Sequence, residues 1–167
     1  MQVIPYFYFP GNAEEAANFY KIALKAEISG LMRYKDQPYP GMPDDIGEKI
    51  LHLELIFNEN TIYISDSIGQ NTIGDHVQVN LNCDTEEQIH WIYEHLKVDG
   101  TISMELQDTF WGAVFGSLID QYGVPWSFNY QKCVVEADAV ADIVEIPEPI
   151  DALDEAVDYA ESLITPE

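Results

Sequence analysis

Apolar residues along this chain fall into short blocks with two periods. Residues 2–9, Gln2-Val3-Ile4-Pro5-Tyr6-Phe7-Tyr8-Phe9, form an apolar and aromatic run that predicts a buried strand. Pro10-Gly11-Asn12 ends it. Asn12 with Glu15 three residues later has the form of a capping box. The helix that follows turns Ala16, Phe19, Tyr20 and Ala23 inward at helical spacing. Residues 28–34 predict a second strand, and 35–45, with three prolines and a glycine, a long loop. Residues 49–57 and 61–65 predict two strands around the turn Asn58-Glu59-Asn60. After a polar connector, residues 76–83 alternate as a strand. Asp84 with Glu87 then caps a second helix that buries Ile89, Ile92, Tyr93 and Leu96. Residues 101–106 are a strand. Two further apolar runs follow, joined at Asp120-Gln121-Tyr122-Gly123, and predict a hairpin. Ahead of that hairpin stands Gln107-Asp108-Thr109-Phe110-Trp111-Gly112, a polar-aromatic cluster that a plain hairpin does not need.

The two halves are alike. A shift of 72 residues carries Asn12 onto Asp84, Glu14 onto Glu86, Glu15 onto Glu87, Phe19 onto Trp91 and Leu24 onto Leu96. Each half runs strand, capped helix, three strands. The expected class is therefore α+β: paired βαβββ modules forming a curved mixed sheet around a cleft. The repeat ends at Lys132, which divides the chain into a domain over 1–132 and an acidic extension over 133–167. Within the extension, Asp151 heads a stripe of Leu153, Ala156, Val157, Ala160 and Leu163 that predicts a helix over 152–163. That segment is either a solvated acidic tail or a helix docked on the sheet or on a second subunit.

Charge narrows the partners. The net charge is −23, with seven Lys and Arg among 167 residues. Residues 133–167 hold eleven of the 30 acidic residues and none of the basic ones, which leaves −12 for residues 1–132. Such a surface repels nucleic acid and anionic lipid, because phosphate binding needs clustered cations. No apolar run approaches the roughly 20 residues of a membrane helix. The N-terminus shows no basic leader, so a cytoplasmic location is expected. Cys83 and Cys133 lack metal-type spacing and are expected to be free thiols.

The module order, together with PYFYFPGNAEEAANFY, LHLELIF, YISDS and LQDTFWGAVFGSLIDQYGVPWSFN, resembles the PhnB-like branch of the vicinal oxygen chelate superfamily. This is the glyoxalase/bleomycin-resistance fold, and the branch is often labelled 3-demethylubiquinone-9 3-methyltransferase-like. The resemblance covers about residues 1–132. The sequence shows no Gly-rich strand-to-helix loop of the kind a nucleotide-like cofactor uses, so the methyltransferase label gains no support from it. Metal-dependent members take four ligands from their first, fourth, fifth and eighth strands. By resemblance those positions fall here near Pro5, near Ser65 or Asp66, on His76, and on Ser127 with Asn129 two further on. One clear ligand falls short of the three or four a divalent site needs. No cofactor is expected; a divalent metal held by His76 and Asp66 is the alternative. The family also implies a homodimer.

The candidate chemistry lies elsewhere. His52 and Glu54 are two apart on one strand and share a face. They either pair structurally or supply acid–base chemistry, since histidine titrates near neutrality. Tyr6, Tyr8, Phe110, Trp111 and Trp126, with Gln107 and Arg33, are the candidate walls of a small-molecule cleft. Three functions follow: a small-molecule binder without the standard metal site, a metal-dependent glyoxalase- or dioxygenase-type enzyme using His76 and Asp66, and an interaction protein acting through its acidic tail.

Overall fold

One strand–helix–three-strand pattern is built twice. The computed structural model describes residues 1–69 and 71–132, which lie within one unit, Met1–Lys132. The first module contains β1 (Tyr6–Phe9), α1 (Ala13–Ala23), β2 (Glu27–Arg33), β3 (Ile50–Phe57) and β4 (Asn60–Asp66). The second contains β5 (Val79–Asn82), α2 (Glu86–Leu96), β6 (Thr101–Asp108), β7 (Ala113–Ile119) and β8 (Pro125–Gln131). The predicted extension and its helix over 152–163 lie outside the described residues.

Each module folds its strands into a mixed sheet of four. The orders are β1-β4-β3-β2 and β5-β8-β7-β6. β1 runs parallel to β4, and β5 parallel to β8; the remaining pairs are antiparallel. The expected single curved sheet is thus two four-stranded sheets, each with its first strand as an edge. The connections explain this. Each helix carries the chain from the module's first strand to the opposite edge of the sheet, and the antiparallel meander that follows returns it, so that the last strand lies parallel beside the first.

Both helices cover the same kind of face, and one core joins the modules. Ala13, Ala16, Ala17, Tyr20 and Ala23 of α1 and Ile89, Ile92, Tyr93 and Leu96 of α2 are buried. They share a cluster with Leu53, Leu55, Ile62, Ile64, Leu118, Trp126 and Phe128. Alanines on α1 let that helix sit close to its sheet. No helix among the described residues is long and apolar enough to cross a membrane.

Two caps differ from the expected ones. Asn12 makes no side-chain capping bond, and its backbone lies at φ −121°, ψ 26°, away from the extended conformation of an N-cap. Its place is taken by Asp66 at the end of β4, whose Oδ1 accepts from the Ala13 N–H at 2.9 Å. In α2 the cap is Thr85, whose hydroxyl accepts from the Gln88 N–H at 3.1 Å. The Gln88 side chain in turn accepts from the Asp84 N–H at 2.8 Å. The proline-rich loop contains two 3-10 turns, Tyr34–Asp36 and Asp44–Ile46, and Ile46 anchors it in the interior.

Candidate functional site

Strand alternation sorts the side chains of each sheet into a face under the helix and an open face. On the open face of the first module, Tyr6, Tyr63, Glu54 and Ser29 form one row across β1, β4, β3 and β2. Tyr8 pairs with Ser65, and His52 with Met32, in the next row. These residues interlock. Tyr6 and Tyr8 stack with ring centroids 4.6 Å apart. Tyr63 meets Tyr6 edge-on at 5.6 Å and His52 at 4.8 Å.

A polar line runs through the cluster. The Tyr6 hydroxyl and His52 Nδ1 lie 3.0 Å apart, and His52 Nε2 lies 3.9 Å from Glu54 Oε1. Burial, and next the neighbouring Tyr8, raise the pKa of Tyr6 above that of an ordinary tyrosine, so its hydroxyl keeps its proton. In the tautomer with its proton on Nε2, His52 accepts from the Tyr6 hydroxyl at Nδ1 and turns Nε2–H toward Glu54. His52 and Glu54, predicted as a pair, are indeed neighbours on this face. The sequence reading missed Tyr63, although Thr61, Tyr63 and Ser65 alternate with Ile62 and Ile64.

The open face of the second module is neutral and polar. Asn82, Asn129, Phe115 and Gln107 form one row across β5, β8, β7 and β6, and Asn80, Ser127, Ser117 and Met104 another. Asn80 Nδ2 donates to Asn82 Oδ1 at 3.1 Å, and Asn129 Nδ2 donates to the same oxygen at 3.3 Å. Ser127 Oγ donates to Asn80 Oδ1 at 2.9 Å. Gln107 belongs here. Trp111 contacts Phe115 at 6.3 Å between ring centroids. The alternation Val79, Asn80, Leu81, Asn82 is the signal for this face that the sequence reading did not use.

A groove of about 890 Å³ opens beside β1, with Tyr6, Tyr8, Asn12, Val79, Tyr122 and Pro125 among its walls. Asn12 Oδ1 is buried and has no hydrogen-bond partner among the described residues. It is an unpaired acceptor behind the groove wall, closed off from a bound molecule.

Trp126 and Arg33 are engaged within the fold, while Phe110 and Trp111 stand at a turn. Trp126 is fully buried and donates Nε1–H to Asp120 Oδ2 at 2.8 Å, so it is a core residue and no cleft wall. Arg33 NH2 binds both carboxylate oxygens of Glu14, at 2.8 and 3.0 Å, and NH1 binds the Glu48 carbonyl. The hydrogen bond to Glu14 is the main reason its charge is held more firmly than in a free arginine. Phe110 and Trp111 occupy a tight turn closed by Gly112 N–H to the Thr109 carbonyl, and Phe110 is 96% exposed. The Asp120-to-Trp126 signature is also structural. Asp120 is buried, and its Oδ1 accepts from the Tyr122 and Val124 N–H groups at 2.9 and 3.0 Å. Gly123, at φ +85°, supplies the left-handed residue this turn requires.

A match to the family described as 3-demethylubiquinone-9 3-methyltransferase spans residues 1–129. The chain belongs to this family. It is similar to protein YjdN of Escherichia coli (strain K12), at 30% identity over 146 residues, 79% of this chain and 97% of that one. Among solved structures it is similar to the PhnB protein from Bacillus cereus, with 29% identity, a TM-score of 0.65, and 78% and 99% of the two chains covered. A glyoxylase/bleomycin resistance protein/dioxygenase domain from Frankia sp. EAN1pec has the same fold, at 9% identity and a TM-score of 0.57, over 80% and 94% of the chains. The chain is thus a PhnB-like protein of the glyoxalase fold.

Set beside the chelating members of that fold, the donor set of this PhnB-like chain does not fit a metal. The strands that carry ligands there present here, on the open faces, Tyr6, Tyr8, Tyr63, Ser65, Asn80, Asn82, Ser127 and Asn129. None of these is a carboxylate or an imidazole. Asp66 points under the helix, where Oδ1 accepts from Ala13 N–H and Oδ2 from Ile50 N–H at 2.8 Å. His76 is exposed and precedes β5, which begins at Val79; the open-face position on that strand is Asn80. Among the described residues no three His, Cys, Asp or Glu side chains are grouped to hold an ion.

Proposed function

We propose that this PhnB-like chain binds a small organic molecule on the open faces of its sheets, without the metal set of the chelating members. The observation that carries this reading is the aromatic cluster of Tyr6, Tyr8, Tyr63 and His52. These side chains stand on the face turned away from the helices, with Tyr6 39% and Tyr8 55% exposed. A sheet face that only had to be soluble would carry charges and small polar groups; aromatic walls with a few polar tips are what ligand sites use. The amide row of Asn82, Asn129 and Gln107 supplies fixed donors and acceptors on the second module.

The test is ligand capture. Native mass spectrometry of the protein as purified, followed by a fragment screen by NMR, should find small molecules whose binding weakens in Tyr8→Ala and Gln107→Ala. Folded protein that binds nothing at these residues would overturn the proposal. Incubation with zinc, nickel, manganese or iron should give no stoichiometric uptake. A bound ion lost in His76→Ala would restore the chelating reading.

A second reading has its own observation. The line Tyr6–His52–Glu54 places an imidazole between a neutral hydroxyl and a carboxylate. That arrangement can hold a proton at His52 Nε2 for transfer to or from a bound molecule. We also propose self-association as a homodimer, motivated by the exposed Phe110 and Trp111 beside the open face of the second module.

A further inference from the structure

Resting on the binding reading above, we propose that the ligand carries a cationic ammonium group, seated on Tyr6, Tyr8 and Tyr63 beside Glu54. Three observations converge on that charge. The first is the surface itself. Tyrosine rings present a negative π-face to a cation, and here three of them adjoin one another. Glu54 stands next to Tyr63 in the same row, with its side chain 36% exposed. An aromatic wall flanked by one carboxylate favours an ammonium over a neutral or anionic group.

The second is the placement of the protein's own cations. Arg33 is held by Glu14, Lys35 by Glu48, Lys97 by Glu94 and Lys132 by Asp108. Lys25 lies over the Trp91 ring at 4.7 Å, on the helical side of the molecule. Among the described residues no Lys or Arg lines the groove beside β1. Arg33, on the strand next to His52, sends its guanidinium to α1, away from the open face. Lys49 is the exception: its ammonium lies 3.4 Å from where a Cβ on Gly11 would stand, beside Pro10 and Asn12 of the groove. The row of Tyr6, Tyr63, Glu54 and Ser29 itself holds no Lys or Arg.

The third is the charge of the whole chain. The net charge of −23 adds a long-range field that draws cations toward the protein.

The experiment compares choline with its neutral isostere, 3,3-dimethylbutan-1-ol. Both show a nine-proton singlet suited to saturation-transfer NMR, and the full chain is used at constant ionic strength. Choline should bind about tenfold more tightly than the isostere. Glu54→Gln should weaken choline roughly fivefold and leave the isostere unchanged. Tyr8→Ala should weaken choline as well. Asp99→Asn, which removes one charge far from this face, should change neither. Equal affinity for the two probes, or an unchanged choline affinity in Glu54→Gln, overturns the proposal. If neither probe binds while neutral fragments bind at Tyr8 and Gln107, the ammonium proposal falls and the binding reading stands. Failure of every probe at these residues defeats both.

Discussion

Tyr20 in the first module donates its hydroxyl to Asp120 Oδ2 in the second at 2.8 Å, across 100 residues of chain. The same oxygen accepts from Trp126, and the other oxygen holds the β7–β8 turn. One buried carboxylate therefore shapes the turn and ties the first helix to the second sheet. Burial, and next the Asp120 charge, raise the pKa of Tyr20 far above that of an ordinary tyrosine, so it remains a neutral donor. Tyr20→Phe should lower stability by about 1–2 kcal/mol. Asp120→Ala should cost about 3 kcal/mol or more, because it strands several buried donors. Urea unfolding of both single variants and the double should give a coupling of about 1 kcal/mol. Strict additivity would show that the two modules are not joined through this bond.

Asp66 distinguishes a cap from a metal ligand. Asp66→Ala removes acceptors from both Ala13 and Ile50, and should lower stability by about 1–3 kcal/mol. Divalent-metal uptake and fragment binding should not change once the variant is shown to be folded. Loss of a bound ion in this variant would contradict its capping role.

The Tyr6–His52 contact separates binding from proton transfer. Tyr6→Phe keeps the ring and removes the hydroxyl partner of Nδ1. If the face only binds, fragment affinity should fall by less than about threefold, the scale of one partly exposed hydrogen bond. If His52 moves a proton, His52→Gln should abolish turnover of any substrate found, while its affinity stays within the same range. A titration followed by histidine NMR should show the His52 signal shifting on ligand binding and those of His90 and His95 unmoved.

Cys83 should be a poor nucleophile. Burial, and then Asp84, push its thiol up to about 11. At pH 8 the thiolate is scarce, so in a Cys133→Ser background alkylation should run roughly a hundredfold slower than for a free thiol. The sign for stability follows. The thiol is disfavoured from ionising in the folded state, so its contribution is complete below the ordinary thiol range. It then declines as pH rises toward about 11. Urea midpoints measured from pH 7 to 10.5 should fall, and should fall less in Cys83→Ala.

Self-association is testable at one turn. Phe110 makes an edge-on contact with Trp111 at 4.7 Å and is otherwise open to solvent. Phe110→Asp should leave the fold intact and convert a dimer to a monomer in light scattering. An unchanged mass would place any interface elsewhere.

The element order was legible because local pattern is enough to specify it. Apolar residues at helical spacing marked α1 and α2, and the residues predicted to turn inward on α2 are the ones it buries. The strand blocks followed from β-type runs between turn residues, and the internal repeat from the shared order of elements. The strand ends were less clear. His76 was placed on a strand that begins at Val79, because alternating residues continue past the point where β8 offers a partner.

Side-chain roles were legible only in part. His52, Glu54, Tyr6 and Tyr8 could be proposed from their types and spacing, but the row that adds Tyr63 exists only once β1, β4 and β3 are in register. Trp126 looked like a cleft wall, yet an aromatic on a strand faces core or solvent according to a one-residue choice of register.

The stretch Met104–Tyr130 shows the division most clearly. Composition and turn residues alone determined that it forms strands around a glycine turn, since those preferences act within a few residues. That Asp120 would accept from Tyr20, that Asp66 would cap a helix beginning 53 residues earlier, and that Asn82, Asn129 and Gln107 would share one row of the second sheet were decided by tertiary structure. Hydrogen bonds between distant segments depend on the register and packing of whole sheets, and no local pattern encodes them.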